Sequence, residues 1–398
     1  MRLAALLASA ALSTASLAYA QSASQVELDD SFANLSLHVD DAVDVGGTAI
    51  AGGNMYTSVA EGQSADIEGT QRSSGASSAN ADATVWNADG AVVVSSIAVN
   101  NGATASTLDG DLRISGAQTS RGDASANTHV QTGMAGAAAS SSAGSGNVAA
   151  LSAENGGLNA ALSQNSSGSV SATTEADHCC VSTDVVADAI ASANNVTESG
   201  TTTTLITEVR QRSTGESVAA NVDLYAGYAG NAVGNATANG NAVTVDNAWG
   251  YANVSTNQRN ASNVAATSYV TLGGDFLGFA SAGAYGVGNS TVVSNIGSDT
   301  VIGATQNNSG NVSADAALAG EGGDQALASS AAYGNVVTGS LCGGPCDDSN
   351  PSLTASSSQT NSGDVSSTVA VTTPRARSVA ASASAIGNAA SYQVTGGN

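Results

Sequence analysis

A short signature recurs about every 47 residues along this chain: a glutamine, two variable residues, Ser or Thr, and Gly. Intervals between successive glutamines run from 46 to 53 residues, through Gln25, Gln71, Gln118, Gln164, Gln211, Gln258, Gln306 and Gln359. An Asn, usually after Gly or another Asn, follows each glutamine by 29 to 31 residues, at Asn54, Asn101, Asn147, Asn195, Asn241, Asn289, Asn335 and Asn388. Such a fixed period is typical of solenoids, propellers and arrays, whose units bury their apolar faces against their neighbours.

The residues between these landmarks alternate with the period of two expected of a β-strand that buries one face. Val312, Ala314, Ala316 and Leu318 lie on one side of such a strand, with mainly polar residues between them. The 46 glycines, together with many Ser, Thr and Asn, supply turns and disfavour long helices, while only 3 prolines interrupt the strands. The sequence therefore predicts an all-β chain.

The interior of the units must be filled by small side chains, because the 398 residues include only 3 Phe, 2 Trp and 9 Tyr. A stack of β-coils has such a thin interior, whereas propeller blades of similar length carry aromatic signatures that are missing here. We therefore predict a repetitive β-solenoid (β-helix) domain over 21–398, with about eight units of ~47 residues. The units start near residues 25, 71, 118, 164, 211, 258, 306 and 359.

Identical Gln or Asn side chains can form hydrogen-bonded ladders along a β-stack. The candidate ladder residues are Gln71, Gln118, Gln164, Gln211, Gln258, Gln306 and Gln359. The alternative is that these glutamines are turn-forming residues without ladder contacts. Each unit forms either one or two rungs. At ~4.8 Å per rung, two rungs per unit make the stack roughly 75 Å long, and one rung halves that length.

Residues 1–20 have the three parts of a secretory signal peptide. Arg2 supplies a positive n-region, residues 3–17 form an apolar h-region, and the Ala-Tyr-Ala of residues 18–20 is a small-residue cleavage site. No later stretch is apolar enough to span a membrane as a helix. We therefore expect the mature chain to be exported.

The chain is strongly acidic: 32 Asp plus Glu stand against 9 Lys plus Arg, for a formal net charge of −23, and every basic residue is Arg. Such a surface repels nucleic acid and anionic membranes, and it opposes self-association of a stack with exposed strand edges. The calcium-binding repeat Gly-Gly-x-Gly-x-Asp does not occur, so we assign no metal site. We expect no nucleic-acid partner and no cofactor.

Two short segments hold the four cysteines. Cys342 and Cys346 lie in a Cys-Gly-Gly-Pro-Cys segment within the long 53-residue interval, where an exported chain is expected to form a small disulfide loop. Cys179 and Cys180 follow His178 about three units earlier, too far along the axis to pair with the other two. They pair with each other, pair with another chain or stay reduced.

The sequence indicates that the protein is not an enzyme. Polysaccharide lyases and hydrolases need clustered carboxylates, or carboxylates with a basic partner, and the acidic residues here are scattered. His38, His129 and His178 belong to different units, and each is expected to be a solvated strand residue. No nucleophile-elbow, zinc-protease or phosphate-loop motif occurs.

The chain as a whole resembles the HfaD family of holdfast-anchoring proteins of stalked alphaproteobacteria. The resemblance covers the signal peptide, the Gln and Gly-Asn repeat phrases, and the Asp-His-Cys-Cys run from Asp177 to Cys180. It implies a cell-surface protein associated with the outer membrane, with an amyloid-like subunit and a secretion-pore lipoprotein as partners. Together these would tether an adhesive polysaccharide, the holdfast, to the outer envelope. The resemblance transfers no site residue.

These features favour a non-catalytic structural or adhesion protein of the cell surface that anchors an adhesive polysaccharide. The alternative is a secreted β-helix protein that binds or degrades polysaccharide. A stack of like units suits a tether, because weak contacts to a repeating polymer add along its length. The densest aromatic group is Tyr225, Tyr228, Trp249 and Tyr251. These side chains either contact polysaccharide or a partner, or fill a wider rung.

Overall fold

The computed structural model describes residues 21–343 and 351–396, which form strands joined by short corners and contain no helix. The proposed signal peptide and Cys346 lie outside these residues. The strands are β1 (Gln21–Glu27), β2 (Ser31–Ala42), β3 (Val45–Glu61), β4 (Ala65–Ser73), β5 (Ser77–Leu108), β6 (Leu112–Ser120), β7 (Ala124–Glu154), β8 (Gly157–Ser166), β9 (Val170–Val181), β10 (Asp184–Thr201), β11 (Thr204–Ser213), β12 (Ser217–Tyr228), β13 (Asn231–Ala248), β14 (Ala252–Asn260), β15 (Asn263–Leu272), β16 (Phe279–Ile296), β17 (Thr300–Asn308), β18 (Val312–Ala319), β19 (Gln325–Cys342), β20 (Leu353–Asn361), β21 (Val365–Thr372) and β22 (Ser378–Thr395).

One turn of the chain is formed by β11, β12 and β13, here called its first, second and third strands. β11 pairs in parallel with β14 of the next turn, and Gln211 faces Gln258. β12 pairs in the same way with β15, and β13 pairs with β16, where Asn241 faces Asn289. Each 47-residue interval therefore makes one rung rather than two.

The stacked turns build two parallel sheets. First strands form an eight-stranded sheet in the order β1-β4-β6-β8-β11-β14-β17-β20. Second and third strands form the other sheet, in which β5 and β7 each run through both positions of their turn. The prediction of an all-β chain is confirmed, and every strand pairing in the described residues is parallel.

Small apolar side chains fill two cores inside the stack. The larger core lies between the second strands and the beginnings of the third strands, and includes Val218 and Ala236. The smaller lies between the first strands and the ends of the third strands, and includes Leu205 and Val245. The third strand contributes to both cores because the side that faces inward switches in its middle. In β13 the even-numbered residues are buried up to Gly240, and the odd-numbered residues are buried from Asn241 onward.

Aspartates at the corners hold the backbone of the next turn. Asp111 Oδ1 accepts a hydrogen bond from the Gly157 amide at 2.9 Å, and Asp123 Oδ1 accepts one from the Ser169 amide at 2.8 Å. The same contact joins Asp30 with Ala76, Asp44 with Ala91, and Asp299 with Ser352. These acidic side chains satisfy backbone donors that the corners would otherwise leave unpaired.

Six of the corners that follow third strands share a left-handed backbone conformation. Gly62, Asp109, Asn155, Thr202, Trp249 and Gly297 have φ between 54° and 79°. Glycine adopts this region without steric cost, but a side chain with a Cβ does not. The four non-glycine residues therefore carry backbone strain, and Thr202 is β-branched as well.

The glycine of the repeat signature lies where successive turns approach each other closely. A Cβ at Gly122 would lie 1.9 Å from the Gly75 carbonyl oxygen, and one at Gly168 would lie 2.0 Å from that of Gly122. Glycine lets the backbones approach this closely. Ser262 takes this place in one turn, and its hydroxyl lies 2.8 Å from Ser213 Oγ.

Candidate functional site

The glutamines of the repeat lie in one column inside the stack. The Nε2 of each donates to the Oε1 of the glutamine one turn earlier, at 2.7 to 2.9 Å, for Gln71, Gln118, Gln164, Gln211, Gln258, Gln306 and Gln359. Gln25 accepts the first of these bonds. The side chains from Gln71 to Gln306 are buried. Removing one would leave a buried polar atom of its neighbour unpaired.

Each glutamine also binds across the stack. Gln211 Nε2 donates to the Ala242 carbonyl oxygen at 2.9 Å, and Gln118 Nε2 donates to that of Val148 at 2.9 Å. These acceptors lie on the third strands, next to the position where the alternation changes phase. The column therefore joins the first sheet to the third strands, between the two apolar cores.

A column of asparagines runs beside the glutamines and points the other way. Each Nδ2 donates to the Oδ1 of the next turn at 2.6 to 2.9 Å, through Asn54, Asn101, Asn147, Asn194, Asn241, Asn289, Asn335 and Asn388. Asn241 Nδ2 also donates to the Arg259 carbonyl oxygen at 3.0 Å. Both columns thus bond along the stack and across it.

The assignment of Asn195 to the repeat from the sequence spacing was wrong. Asn194, not Asn195, occupies the column, because Asn194 faces Asn147 and Asn241 in the neighbouring turns. Asn195 faces Val148 instead.

The outward face of the first sheet forms a groove of about 560 Å³ over the glutamine column. It crosses β8, β11, β14 and β17, and its outward side chains include Arg210, Arg212, Arg259, Asn165, Asn257 and Asn307. The sequence analysis did not single out these residues. The available signal was the Gln-Arg dipeptide that occurs at 211–212 and again one interval later at 258–259.

None of the described cysteines lines this groove. Cys342 is exposed at the end of β19, and its predicted disulfide partner Cys346 lies outside the described residues. Cys179 and Cys180 are exposed in β9 with their Sγ atoms 2.7 Å apart, and both are unbridged. The hydrogen bond from the neighbouring thiol, burial and charge repulsion together raise the pKa of Cys180.

The prediction that His178 is a solvated strand residue was wrong. Its side chain is fully buried, and neither ring nitrogen has a hydrogen-bond partner among the described residues. Burial lowers the pKa of His178 to about 4, so the ring is neutral at pH 7. It faces Ala226 in the next turn and Thr132 in the preceding one. His38 is exposed, whereas His129 is half-buried and its Nδ1 lies 3.1 Å from Asp82 Oδ1.

Glu198 is a second fully buried titratable group, at the edge of the smaller core. Its Oε2 accepts a hydrogen bond from the Thr207 hydroxyl, and its Oε1 has no partner among the described residues. Burial raises the pKa of Glu198 to about 7, although the Thr207 bond lowers it. Its neighbours one turn away are Leu151 and Val245. The carboxyl therefore lies in an apolar environment that disfavours its charged form.

The aromatic group found in the sequence is divided in the structure. Tyr225 and Tyr228 lie in β12, whereas Trp249 and Tyr251 lie in the corner between β13 and β14, at the other end of β13. Tyr225 and Tyr228 are each 41% exposed and Trp249 is 49% exposed. The interpretation that these three side chains fill a wider rung is therefore wrong.

The described part of the chain contains no group of three or more His, Cys, Asp and Glu side chains that could hold a metal ion. None of its elements is a helix long and apolar enough to cross a membrane.

Comparison with known proteins identifies the family. A family model described as holdfast attachment protein D matches residues 39–311, more than half of the 398-residue chain. No curated protein and no solved structure matches the chain. The resemblance carried by the repeat phrases is thus confirmed over most of the described stack, and the chain belongs to the holdfast attachment protein D family.

Proposed function

We propose that this protein is a non-catalytic structural protein of the cell surface that anchors an adhesive polysaccharide, the holdfast, to the outer envelope. The observation that carries the proposal is its membership of the holdfast attachment protein D family, matched over residues 39–311. The family name implies a role in attachment at the cell surface.

The stacked architecture supports an anchoring role, because force between turns is shared among many bonds. Adjacent turns are joined by ladders on the first, second and third strands and by two amide columns. Separating two turns requires all of these to break together. A repeating polymer can also contact several turns at once, so that weak contacts add.

The proposal has further parts. The described stack belongs to a β-solenoid of about eight units of ~47 residues, in which the glutamine column acts as an internal ladder. Residues 1–20 act as a signal peptide, and Cys342 and Cys346 close a small disulfide loop. The protein works with other surface anchor proteins, namely an amyloid-like subunit and a secretion-pore lipoprotein.

A deletion strain and its complemented partner test this function. Cells without the protein should shed their holdfast into the medium under flow, and complemented cells should retain it. A tagged copy should be degraded when protease is added to intact cells. Normal holdfast retention in the deletion strain would overturn the anchoring role. Cleavage of a glycan by the purified protein would overturn the non-catalytic part.

A further inference from the structure

We propose that the groove over the glutamine column binds a carboxylate-bearing polysaccharide, held by the guanidinium groups of Arg212 and Arg259. This deepens the proposed function and rests on it for the class of polymer. The anionic character of the ligand is argued from the groove itself.

Positive charge is concentrated on the sheet that carries the groove. Six arginines lie in the first strands or directly after them: Arg72, Arg113, Arg121, Arg210, Arg212 and Arg259. The other arginines of the described residues are Arg375 and Arg377. The first strands also hold Glu27, Asp66, Glu68 and Glu208, but of these only Glu208 lies on a strand that the groove crosses. Three arginines against one glutamate leave the groove strands with a net positive charge, which attracts anions locally in a chain whose net charge is −23.

Two of these charges are stacked without an acidic partner. Arg212 and Arg259 face each other on β11 and β14, whose backbones lie about 4.8 Å apart. Arg210 pairs with Glu208 at 2.5 Å, but neither Arg212 nor Arg259 forms an ion pair with any side chain in the described ranges. Like charges directly opposite each other are destabilising, and a bound anion removes that cost. Guanidinium groups bind carboxylates through two parallel hydrogen bonds.

The groove lining favours a glycan over other anions. Every residue that lines it is polar, and the amides of Asn165, Asn257 and Asn307 flank the arginines. A protein partner would require an apolar or aromatic centre, and single-stranded nucleic acid would require aromatic stacking platforms. Amide and guanidinium donors instead match a chain rich in hydroxyls and carboxylates.

The shape of the groove fits a short stretch of an extended polymer that lies along the stack. It crosses four turns, which at ~4.8 Å per turn is roughly 14 Å from the first strand to the last. The arginines lie on its two central turns, so that successive acidic sugars can each meet a positive charge.

Calorimetry on the purified protein tests the site. An alginate oligosaccharide, which is a polyuronate, is titrated beside a neutral chitin oligosaccharide of the same length, at low and at high salt. We expect the polyuronate to bind more tightly, and its binding to weaken with salt. The double variant Arg212→Gln/Arg259→Gln should lose about ten-fold or more in affinity. The matched control Arg375→Gln/Arg377→Gln removes the same charge elsewhere and should lose less than about two-fold.

A second pair of variants separates charge from geometry. Arg212→Lys/Arg259→Lys keeps both charges but loses the bidentate fork, so its affinity should fall between wild type and the glutamine variant. In urea unfolding, each of these exposed substitutions should change the free energy of unfolding by less than about 1 kcal/mol, which excludes misfolding as the cause.

Several results would overturn the site. They are unchanged polyuronate affinity in Arg212→Gln/Arg259→Gln, an equal loss in the Arg375 and Arg377 control, and tighter binding of chitin. Self-association that disappears in the Arg212 and Arg259 variant would assign the groove to a second copy of the chain. The anchoring role and the polyuronate site can be disproved independently of each other. Holdfast loss on deletion without polyuronate binding would leave only the anchoring role, and polyuronate binding with normal retention would leave only the site.

Discussion

Gln258 Nε2 donates to Gln211 Oε1 at 2.8 Å, while Gln258 Oε1 accepts bonds from Gln306 and Thr291. The other Nε2 hydrogen binds the Ser290 carbonyl oxygen at 2.7 Å. Every donor and acceptor of this buried side chain is therefore engaged, and one residue links three successive turns.

Replacing Gln258 should destabilise the stack. Gln258→Leu keeps the volume but leaves Gln211 Oε1 and Gln306 Nε2 without their column partners in a buried environment, at a cost of about 3 kcal/mol. The urea midpoint of unfolding measures the loss. The exposed Ser255→Ala on the same strand is the control and should change the free energy of unfolding by less than about 0.5 kcal/mol. Equal effects of the two substitutions would contradict a stabilising column.

A methyl group added at the glycine of the repeat signature should destabilise the stack. The Cβ of Gly168→Ala would lie 2.0 Å from the Gly122 carbonyl oxygen, so the turns must separate, at a cost of about 2 kcal/mol or more. At Gly303 on β17 a Cβ meets nothing within 4 Å, so Gly303→Ala should be neutral or slightly stabilising. Thermal unfolding of the two variants gives the comparison. Similar melting temperatures would show that the turns can move apart without cost.

The buried carboxyl of Glu198 should make the protein less stable as pH rises. Its pKa is about 7 in the folded chain against 4.5 in the unfolded chain, so the unfolded state gives up its proton first. At 1.36 kcal/mol per pKa unit, roughly 3 kcal/mol of stability is lost between about pH 4.5 and 7. Because the His178 contribution has the opposite sign, urea unfolding should show the loss as a difference: the stability of wild type relative to Glu198→Gln should fall by roughly 3 kcal/mol across this range. The exposed Glu208→Gln should keep the wild-type slope; if Glu198→Gln also keeps it, Glu198 is not its source.

His178 should act in the opposite direction. Its pKa is about 4 in the folded chain against the ordinary 6.5, so between these pH values the unfolded chain binds a proton and the folded chain does not. The contribution of His178 to stability is complete above about pH 6.5 and falls by roughly 3 kcal/mol as pH drops to 4. His178→Ala should remove this acid sensitivity, while the exposed His38→Ala should keep it.

The two slopes overlap between about pH 4.5 and 6.5 and oppose each other there. Wild type should therefore be flatter in this range than either Glu198→Gln or His178→Ala. A wild-type profile as steep as that of both variants would show that these two groups do not compensate.

Relieving a strained corner should stabilise the protein. Thr202 has φ 54°, which costs a residue with a Cβ about 1 to 2 kcal/mol. Thr202→Gly should gain about 0.5 to 1 kcal/mol after the entropy of glycine is subtracted. The neighbouring Thr201→Gly, at the end of β10, should instead lose stability. A loss in both variants would mean that the Thr202 side chain makes contacts that outweigh its strain.

The register of the stack follows from the glutamine interval, because a parallel ladder pairs residues that lie one turn apart. The number of rungs per unit did not follow, since two landmarks in each interval are compatible with one turn or with two. Asn195 was mistaken for Asn194 because two adjacent asparagines satisfy nearly the same spacing. The two asparagines differ in the side of the strand to which they point. The spacing could not show this difference, because the inward side switches at this position of the third strand.

The burial of His178 could have been predicted from the alternation of its strand, but the polarity of histidine was given more weight. The alternation through Val170, Ala172, Thr174 and Ala176 places residue 178 inside, but the polarity of histidine suggested the surface. The left-handed corners could not be found in the sequence, because residues as different as Asp109 and Trp249 occupy them. The facing arginines depended on knowing that one interval makes one turn.

The two amide columns run in opposite directions, since glutamines donate toward the preceding turn and asparagines toward the following one. Two chains of aligned amides with the same sense would sum to a large dipole along the stack, as peptide units do in a helix. Here the two sums largely cancel. Neither end of the stack interior therefore carries the partial charge that two columns of the same sense would place there.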